Sequence, residues 1–287
     1  MLITVGVASY AWFSTDSRVG QSGTEITVSS GIIDFVIVRD LDPEYEKVDG
    51  ETGDPLYEGV TGENGLQAKL SQMNFSLTAT DTIAAPKLAY ELYNEYLFDG
   101  LRNMQPGAYG TVTFYIRPKP DKDGETVTFS IERGCFANVI EDGDPVVTEV
   151  TNANVINLLR GHVLFFSERT GVGYANYVYD GLIDNTFEYD MSAHSKSTDP
   201  GKTDCYKVVL YWEWPEIYAD IVNNISTESP AVTRRFPSEL GTYLSNGQYF
   251  FKGAYSDDLE SKSDAYNDGD QAIGDAADYF VLYITAQ

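Results

Sequence analysis

Two acidic runs hold the densest metal-capable side chains in this sequence. The run KPDKDGE sets Asp121, Asp123 and Glu125 around Gly124, and SDAYNDGDQAIGD carries Asp264, Asp268, Asp270 and Asp275. Closely spaced carboxylates suit calcium, which takes roughly six to eight oxygen ligands. The second run partly echoes an EF-hand loop, but Tyr266 stands where a carboxylate or amide is required. Calcium is therefore the one cofactor the patterns suggest, and solvated turns are the competing role for both runs. Only two histidines are present, His162 and His194, and there is no H-E-x-x-H pair, which argues against a histidine-rich zinc hydrolase. Carboxylates are too numerous to single out an acid/base pair for glycoside chemistry. GVGYANY lacks the lysine of a phosphate loop. No catalytic residue is assigned, and the expectation is a protein that is not an enzyme. Cys135 and Cys205, the only cysteines, could close one long loop as a disulfide or serve as two small buried apolar residues.

Composition narrows the partners. The chain of 287 residues is 43% hydrophobic, a normal globular fraction, and can bury a large core. Nineteen Lys and Arg oppose 44 Asp and Glu, for a formal net charge of −25. Nucleic-acid binding depends on basic residues neutralising phosphates, so this balance argues against it. It argues equally against anionic membrane surfaces and favours a soluble surface that attracts cations.

The opening MLITVGVASYAWF is almost wholly apolar and is followed by a polar stretch rich in serine and glycine. As an export signal, Leu2 to Phe13 would form the apolar region, with Ser9-Tyr10-Ala11 as a small-x-small cleavage site and no basic residue ahead of it. As a membrane span it is too short, since about 20 apolar residues are needed, so no stable membrane span is expected. As a strand it fits well: Ile3, Val5 and Val7 alternate with smaller residues in a period of two and favour extended backbone. Such a strand could complete a groove in its own domain or in a neighbouring copy.

The elements that must position these residues read as mainly β. Thr24–Ser29 and Ile32–Arg39 form two strands, a long acidic loop follows, and Gln72–Thr78 forms another strand. In APKLAYELYNEYLFDGLRNMQPG, four-residue spacing of Leu88, Leu92 and Tyr96 and of Tyr93, Leu97 and Leu101 predicts a helix lying across a sheet. GTVTFYIRPKPDKDGETVTFSIE predicts a β-hairpin, with Val112, Phe114 and Ile116 answered by Val127, Phe129 and Ile131. TNANVINLLRGH predicts a short helix capped near Thr151 or Asn152. HVLFFS, GYANYVYD, FEYDM, CYKVVLYWEWP and ADYFVLYITAQ predict further strands. The sum is a mainly-β, jelly-roll-like antiparallel sandwich with a few short helices and long acidic loops. Residues 1–23 form the N-terminal apolar segment and 24–287 a single domain.

Three stretches also resemble a known group. ASYAWFSTDSRVGQSGTEITVSSG is similar to the signal-peptide boundary and first mature strand of the TasA and camelysin group of secreted proteins. GTVTFYIRP with ETVTFSIE resembles the mid-domain strands of related Gram-positive surface proteins, and YKVVLYWEWP their late strand ending in tryptophan and proline. The resemblance implies a secreted jelly-roll subunit of an extracellular filament, a pilus or biofilm matrix fibre, in which the N-terminal strand of one copy completes the sheet of the next. Leu2, Ile3, Val5, Val7, Tyr10, Trp12 and Phe13 would then meet an identical subunit, in a homopolymer. In that group the apolar stretch is cut near the alanine, and a cut at Ala11 would start the donated strand at Trp12. The protease activity described for camelysin finds no histidine motif here. The alternatives are a monomeric cell-surface adhesin or binding module that keeps its first strand for itself and, third, a surface hydrolase.

Overall fold

The computed structural model describes residues 26–29, 32–37, 87–92, 104–173, 176–216, 218, 221, 235–237, 239–244 and 259–286. Within them run β1 (Ile26–Ser29), β2 (Ile33–Ile37), β3 (Lys87–Glu91), β4 (Tyr109–Pro118), β5 (Thr126–Glu141) and β6 (Asp144–Glu149). Helix α1 (Ala153–His162) leads to β7 (Leu164–Thr170), β8 (Val178–Ile183), β9 (Thr186–Asp190) and β10 (Tyr206–Glu213). The short helix α2 (Leu240–Leu244), the longer α3 (Leu259–Gly274) and β11 (Tyr279–Ala286) complete the order.

The strands form two antiparallel sheets. One has the order β1-β2-β4-β10-β7-β8 and the other β3-β11-β5-β6, with β9 pairing to β5. The expected mainly-β, antiparallel sandwich is what the chain forms. Its main core lies between the sheets, where alternate residues of each strand point inward. Val112, Phe114 and Ile116 of β4, Val208, Leu210 and Trp212 of β10, and Val127, Phe129 and Ile131 of β5 are all buried there. A second core covers the other face of β7 and β8: Leu164, Phe166 and Tyr179 pack with Phe236, Leu240, Leu244 and Tyr266.

Three expectations are corrected. The GTVTFYIRP and ETVTFSIE strands are not a hairpin. β4 pairs with β2 and β10, whereas β5 pairs with β11, β6 and β9. Their apolar faces meet across the sandwich instead, with Phe114 and Phe129 edge to face at 5.5 Å and Phe35 wedged 6.1 and 5.9 Å from each. Alternation fixes which face is buried but not which strand lies alongside. Residues 119–125 span the interval of about 10 Å between sheets, with Asp121 and Gly124 both at positive φ.

The described part of the expected helix from Pro86 is β3. Its Leu88 and Tyr90 lie opposite Ile284 and Leu282 of β11, and the Leu92 N–H continues the ladder to the Phe280 carbonyl at 2.8 Å. Leu88 and Leu92 fit a helical stripe and, with Tyr90 between them, also alternate at a period of two, and the strand partner decides between the two. Conversely, SDAYNDGDQAIGD is not a loop: Asp264, Asp268 and Asp270 lie on α3. Tyr266, which interrupts the calcium pattern, is the fully buried anchor of that helix. The expected strand at Gln72–Thr78 and the apolar segment lie outside the described residues. Helix α1 starts where expected, with Asn152 accepting the Asn154 N–H at 3.0 Å as N-cap.

Candidate functional site

Three features could carry function: the sheet margins, a buried polar cluster at one end of β10, and an exposed polar cluster at the other. The sandwich does not close into a barrel. Among the described residues its margins are β1 and β8 on one sheet and β3, β6 and β9 on the other. Margin strands present backbone N–H and C=O groups to whatever approaches from the side. β1 is the margin strand closest in sequence to the apolar opening, and the proposed donor residues Leu2, Ile3, Val5, Val7, Tyr10, Trp12 and Phe13 lie upstream of it, outside the described residues.

The buried cluster forms where β10 ends. His162, the last residue of α1, has no exposed surface, and its Nδ1 lies 2.6 Å from Asp270 Oδ1 on α3. The Trp214 indole N–H donates to the same oxygen at 2.6 Å. An oxygen already accepting from the indole accepts from the imidazole too, so Nδ1 carries the hydrogen and Asp270 fixes the tautomer. Tyr266 stacks on the imidazole at 4.0 Å, and burial pushes its hydroxyl well above the ordinary tyrosine range. Beside them Glu213, also without exposed surface, accepts from Arg235 through both oxygens at 2.9 and 2.8 Å. Arg133 of β5, 7% exposed, donates to the carbonyls of Val163, Asp184 and Ile183 at 2.8, 2.7 and 3.2 Å and lies over Phe165. One guanidinium thereby ties β5 to the α1–β7 and β8–β9 turns.

The exposed cluster forms where β10 begins. Tyr206 donates to Asp123 at 2.7 Å and Lys196 donates to the same carboxylate at 2.6 Å. Tyr115 of β4 donates to Asp199 at 2.5 Å, and Lys207 joins that carboxylate at 3.1 Å. Arg117 pairs with Asp204 at 2.5 Å. These three carboxylates belong to the β4–β5 connection and the segment before β10, so the contacts latch that segment to the sandwich. Lys196 and then Tyr206 hold the Asp123 carboxyl below its ordinary range, Tyr115 and then Lys207 do so for Asp199, and Arg117 for Asp204. In return the hydrogen bond to Asp123, reinforced by burial, pushes the Tyr206 hydroxyl up to about 12.

The carboxylates singled out for calcium are not gathered together. Asp123 is bonded to Lys196 and Tyr206, Glu125 to Lys122 at 2.9 Å, and Asp270 to His162 and Trp214. Asp121 sits at positive φ in the β4–β5 connection, and Asp264 and Asp268 lie one turn apart on α3. Among the described residues no three His, Cys, Asp or Glu side chains converge to hold a metal ion. Both cysteines are buried, and no disulfide joins them. Cys135 is on β5, where burial and then Glu149 push its thiol up to about 12, and Cys205 immediately precedes β10. His194 stacks on Tyr189 at 4.3 Å beside the exposed cluster.

Sequence reasoning missed Arg133, Glu213 and the joining of His162 to Asp270. A charged residue at an inward position of an alternating strand was the available signal for Arg133, whereas Glu213 falls on the face opposite Val208, Leu210 and Trp212, where alternation gives no sign of burial. Nothing in the sequence pairs His162 with a residue 108 positions away. Among the described residues no helix is long and apolar enough to cross a membrane. No protein-family model, curated protein or solved structure matches the chain.

Proposed function

We propose that the chain is a structural subunit of an extracellular filament, in which residues 2–13 of one copy add as a strand to an open sheet margin of the next. The observation that carries this reading is the position of β1. Among the described residues β1 pairs with β2 alone, so its other edge is available to an added strand, and the apolar segment lies upstream of it in sequence. Residues 14–25 can span up to about 40 Å when extended, enough to reach an adjacent domain. An incoming strand with Ile3, Val5 and Val7 on one face supplies backbone hydrogen bonds and apolar side chains together. A contact between two different surfaces does not close on itself, so it propagates as a fibre. The acidic excess of the chain keeps neighbouring fibres apart in solution.

Negative-stain microscopy of the purified full chain tests the reading. Filaments are expected, and they should vanish when residues 2–13 are deleted or when Val5 and Val7 are replaced by Asp. Filaments that survive the deletion, or a chain that stays a folded monomer at high concentration, would overturn it. The monomer outcome favours the adhesin alternative.

A further inference from the structure

β3 is a strand built from residues that favour helices. Lys87, Leu88, Ala89 and Glu91 are strong helix formers, and lysine, alanine and glutamate are depleted from strands. The four-residue spacing of Leu88 and Leu92 also continues in the sequence to Tyr96. Glu91 is a second conflict. It stands directly opposite Val281, on the face of the second sheet turned away from the main core, where Phe136, Val147, Tyr279, Val281 and Tyr283 are buried. Only 9% of Glu91 is exposed, so its carboxylate gives up most of its hydration there. What holds β3 is the ladder to β11 and the burial of Leu88 and Leu92. Among the described residues β11 is its only strand partner, so a single ladder must open for it to leave. Local preference and adopted structure are expected to disagree at functional or strained sites.

The apolar opening suits this seat better than β3 does. Laid in the direction of β3, Ile3, Val5 and Val7 fall where Leu88, Tyr90 and Leu92 meet the main core. Ile3, Thr4, Val5 and Val7 are all residues enriched in strands. Thr4 and Gly6 fall where Ala89 and Glu91 stand, so the exchange takes the carboxylate off the face shared with Val281 and Tyr283. It gives up the contact of Tyr90 with Phe114, whose ring centres are 6.2 Å apart, at the one inward position of β3 that is only partly buried.

We propose that residues 3–7 of a second copy take the place of β3 against β11. Once β3 has left, β11 is an open margin, and the donated strand closes it. The inference rests on the filament reading and names the seat of the donated strand, which that reading leaves open among the margins. In a single copy β3 keeps the seat filled, so the edge of β11 is not offered to wrong partners before a neighbouring copy arrives. The displaced residues have a second conformation available in the helical spacing of their own sequence.

The test is a reversible staple in the full chain. The Leu92 N–H donates to the Phe280 carbonyl, which makes these two a hydrogen-bonded pair of the ladder. Lys87 and Thr285, directly opposite each other, then belong to the closely spaced pairs, with about 4.5 Å between Cα atoms. A disulfide spans that distance. Lys87→Cys with Thr285→Cys therefore ties β3 to β11 when oxidised and frees it when reduced, and intact mass confirms the bond. Negative-stain microscopy should show filaments from the wild type and the reduced variant and none from the oxidised variant. Adding reductant should restore growth. If the stapled variant misfolds, Leu88→Ala decides instead: it loosens β3, leaves the donor untouched and should hasten filament growth severalfold. Filaments that grow equally well from the oxidised variant, or growth that slows in Leu88→Ala, would overturn the replacement of β3 while leaving the filament reading intact. A wild type that never forms filaments would overturn that reading, and the replacement with it.

Discussion

The two ends of β10 use the same chemistry in opposite settings. At its start, Asp123, Asp199 and Asp204 pair with lysine, arginine and tyrosine in contact with solvent. At its end, Asp270 and Glu213 pair with histidine, tryptophan and arginine almost out of solvent. Charged pairs at a surface exchange one set of favourable contacts for another with water and contribute little. The same pairs inside protein leave an uncompensated charge or donor when one partner is removed. The end of β10 should therefore hold the fold together, and its start should hold only a loop in place.

Removing Asp270 should break the molecule hardest. Asp270→Ala strips the acceptor from both His162 Nδ1 and the Trp214 indole, and it unpins α3 from α1. A loss of about 3–5 kcal/mol is expected, as for buried pairs that lose one member, and equilibrium urea unfolding reads it. A loss below 1 kcal/mol would erase the distinction drawn between the two ends. Arg133→Met tests the same end from the other sheet. It keeps the apolar stem over Phe165 but leaves the Val163, Ile183 and Asp184 carbonyls without their donor. A smaller loss of about 2–3 kcal/mol is expected, because carbonyls, each with a second lone pair, tolerate the loss of one donor better than two buried N–H groups tolerate the loss of their acceptor.

The exposed end should instead respond to pH. Its three carboxyls sit below their ordinary value of 3.8, so they bind fewer protons folded than unfolded near that pH. Their contribution is fully present above 3.8 and is lost as pH falls through the lowered folded values. Tyr206 acts in the opposite direction. Its hydroxyl is raised from 10 to about 12, so its contribution holds below 10 and fades as pH rises toward 12. The latch should be intact across the interval between these limits. Tyr189 and Tyr243 are also raised to about 12, so the difference in tyrosinate absorbance between wild type and Tyr206→Phe is the readout, and it should show one tyrosine ionising near 12. Asp123→Asn should bring that step back toward 10, and an unchanged step would show that Asp123 does not hold the proton.

How much of this could be read from the sequence differs in the same way between local and distant features. The buried faces of β4, β5 and β10 were legible because alternation is a property of neighbouring residues, and so was the Asn152 cap. The partner of each face was not. Phe114 meets Phe129 across the core because of where the chain crosses between sheets, which no local pattern specifies. Leu88 to Leu92 fits both periods, and only β11 alongside makes it a strand. The acidic run near Asp268 looked like a loop because its glycine and aspartates are turn formers. Burial of Tyr266 and Ile273 against the rest of the protein overrides that preference. At the candidate sites the residue types were visible but not their company: Asp123 and Asp270 were singled out as metal ligands and serve as acceptors for protein donors.

The smallest expected effect is the sharpest check on the comparison. Arg117 and Asp204 approach to 2.5 Å, as closely as any pair at the buried end, yet their side chains are 28% and 57% exposed. If distance set the energy, Arg117→Ala would rival Asp270→Ala. If exposure sets it, water and salt screen the pair and the loss stays below about 1 kcal/mol. Urea unfolding of both variants at low and high salt separates these. The Arg117 loss should shrink as salt rises, while the Asp270 loss should not, because the buried cluster is closed to mobile ions. A salt-independent loss at Arg117 as large as that at Asp270 would mean the start of β10 is part of the structural frame.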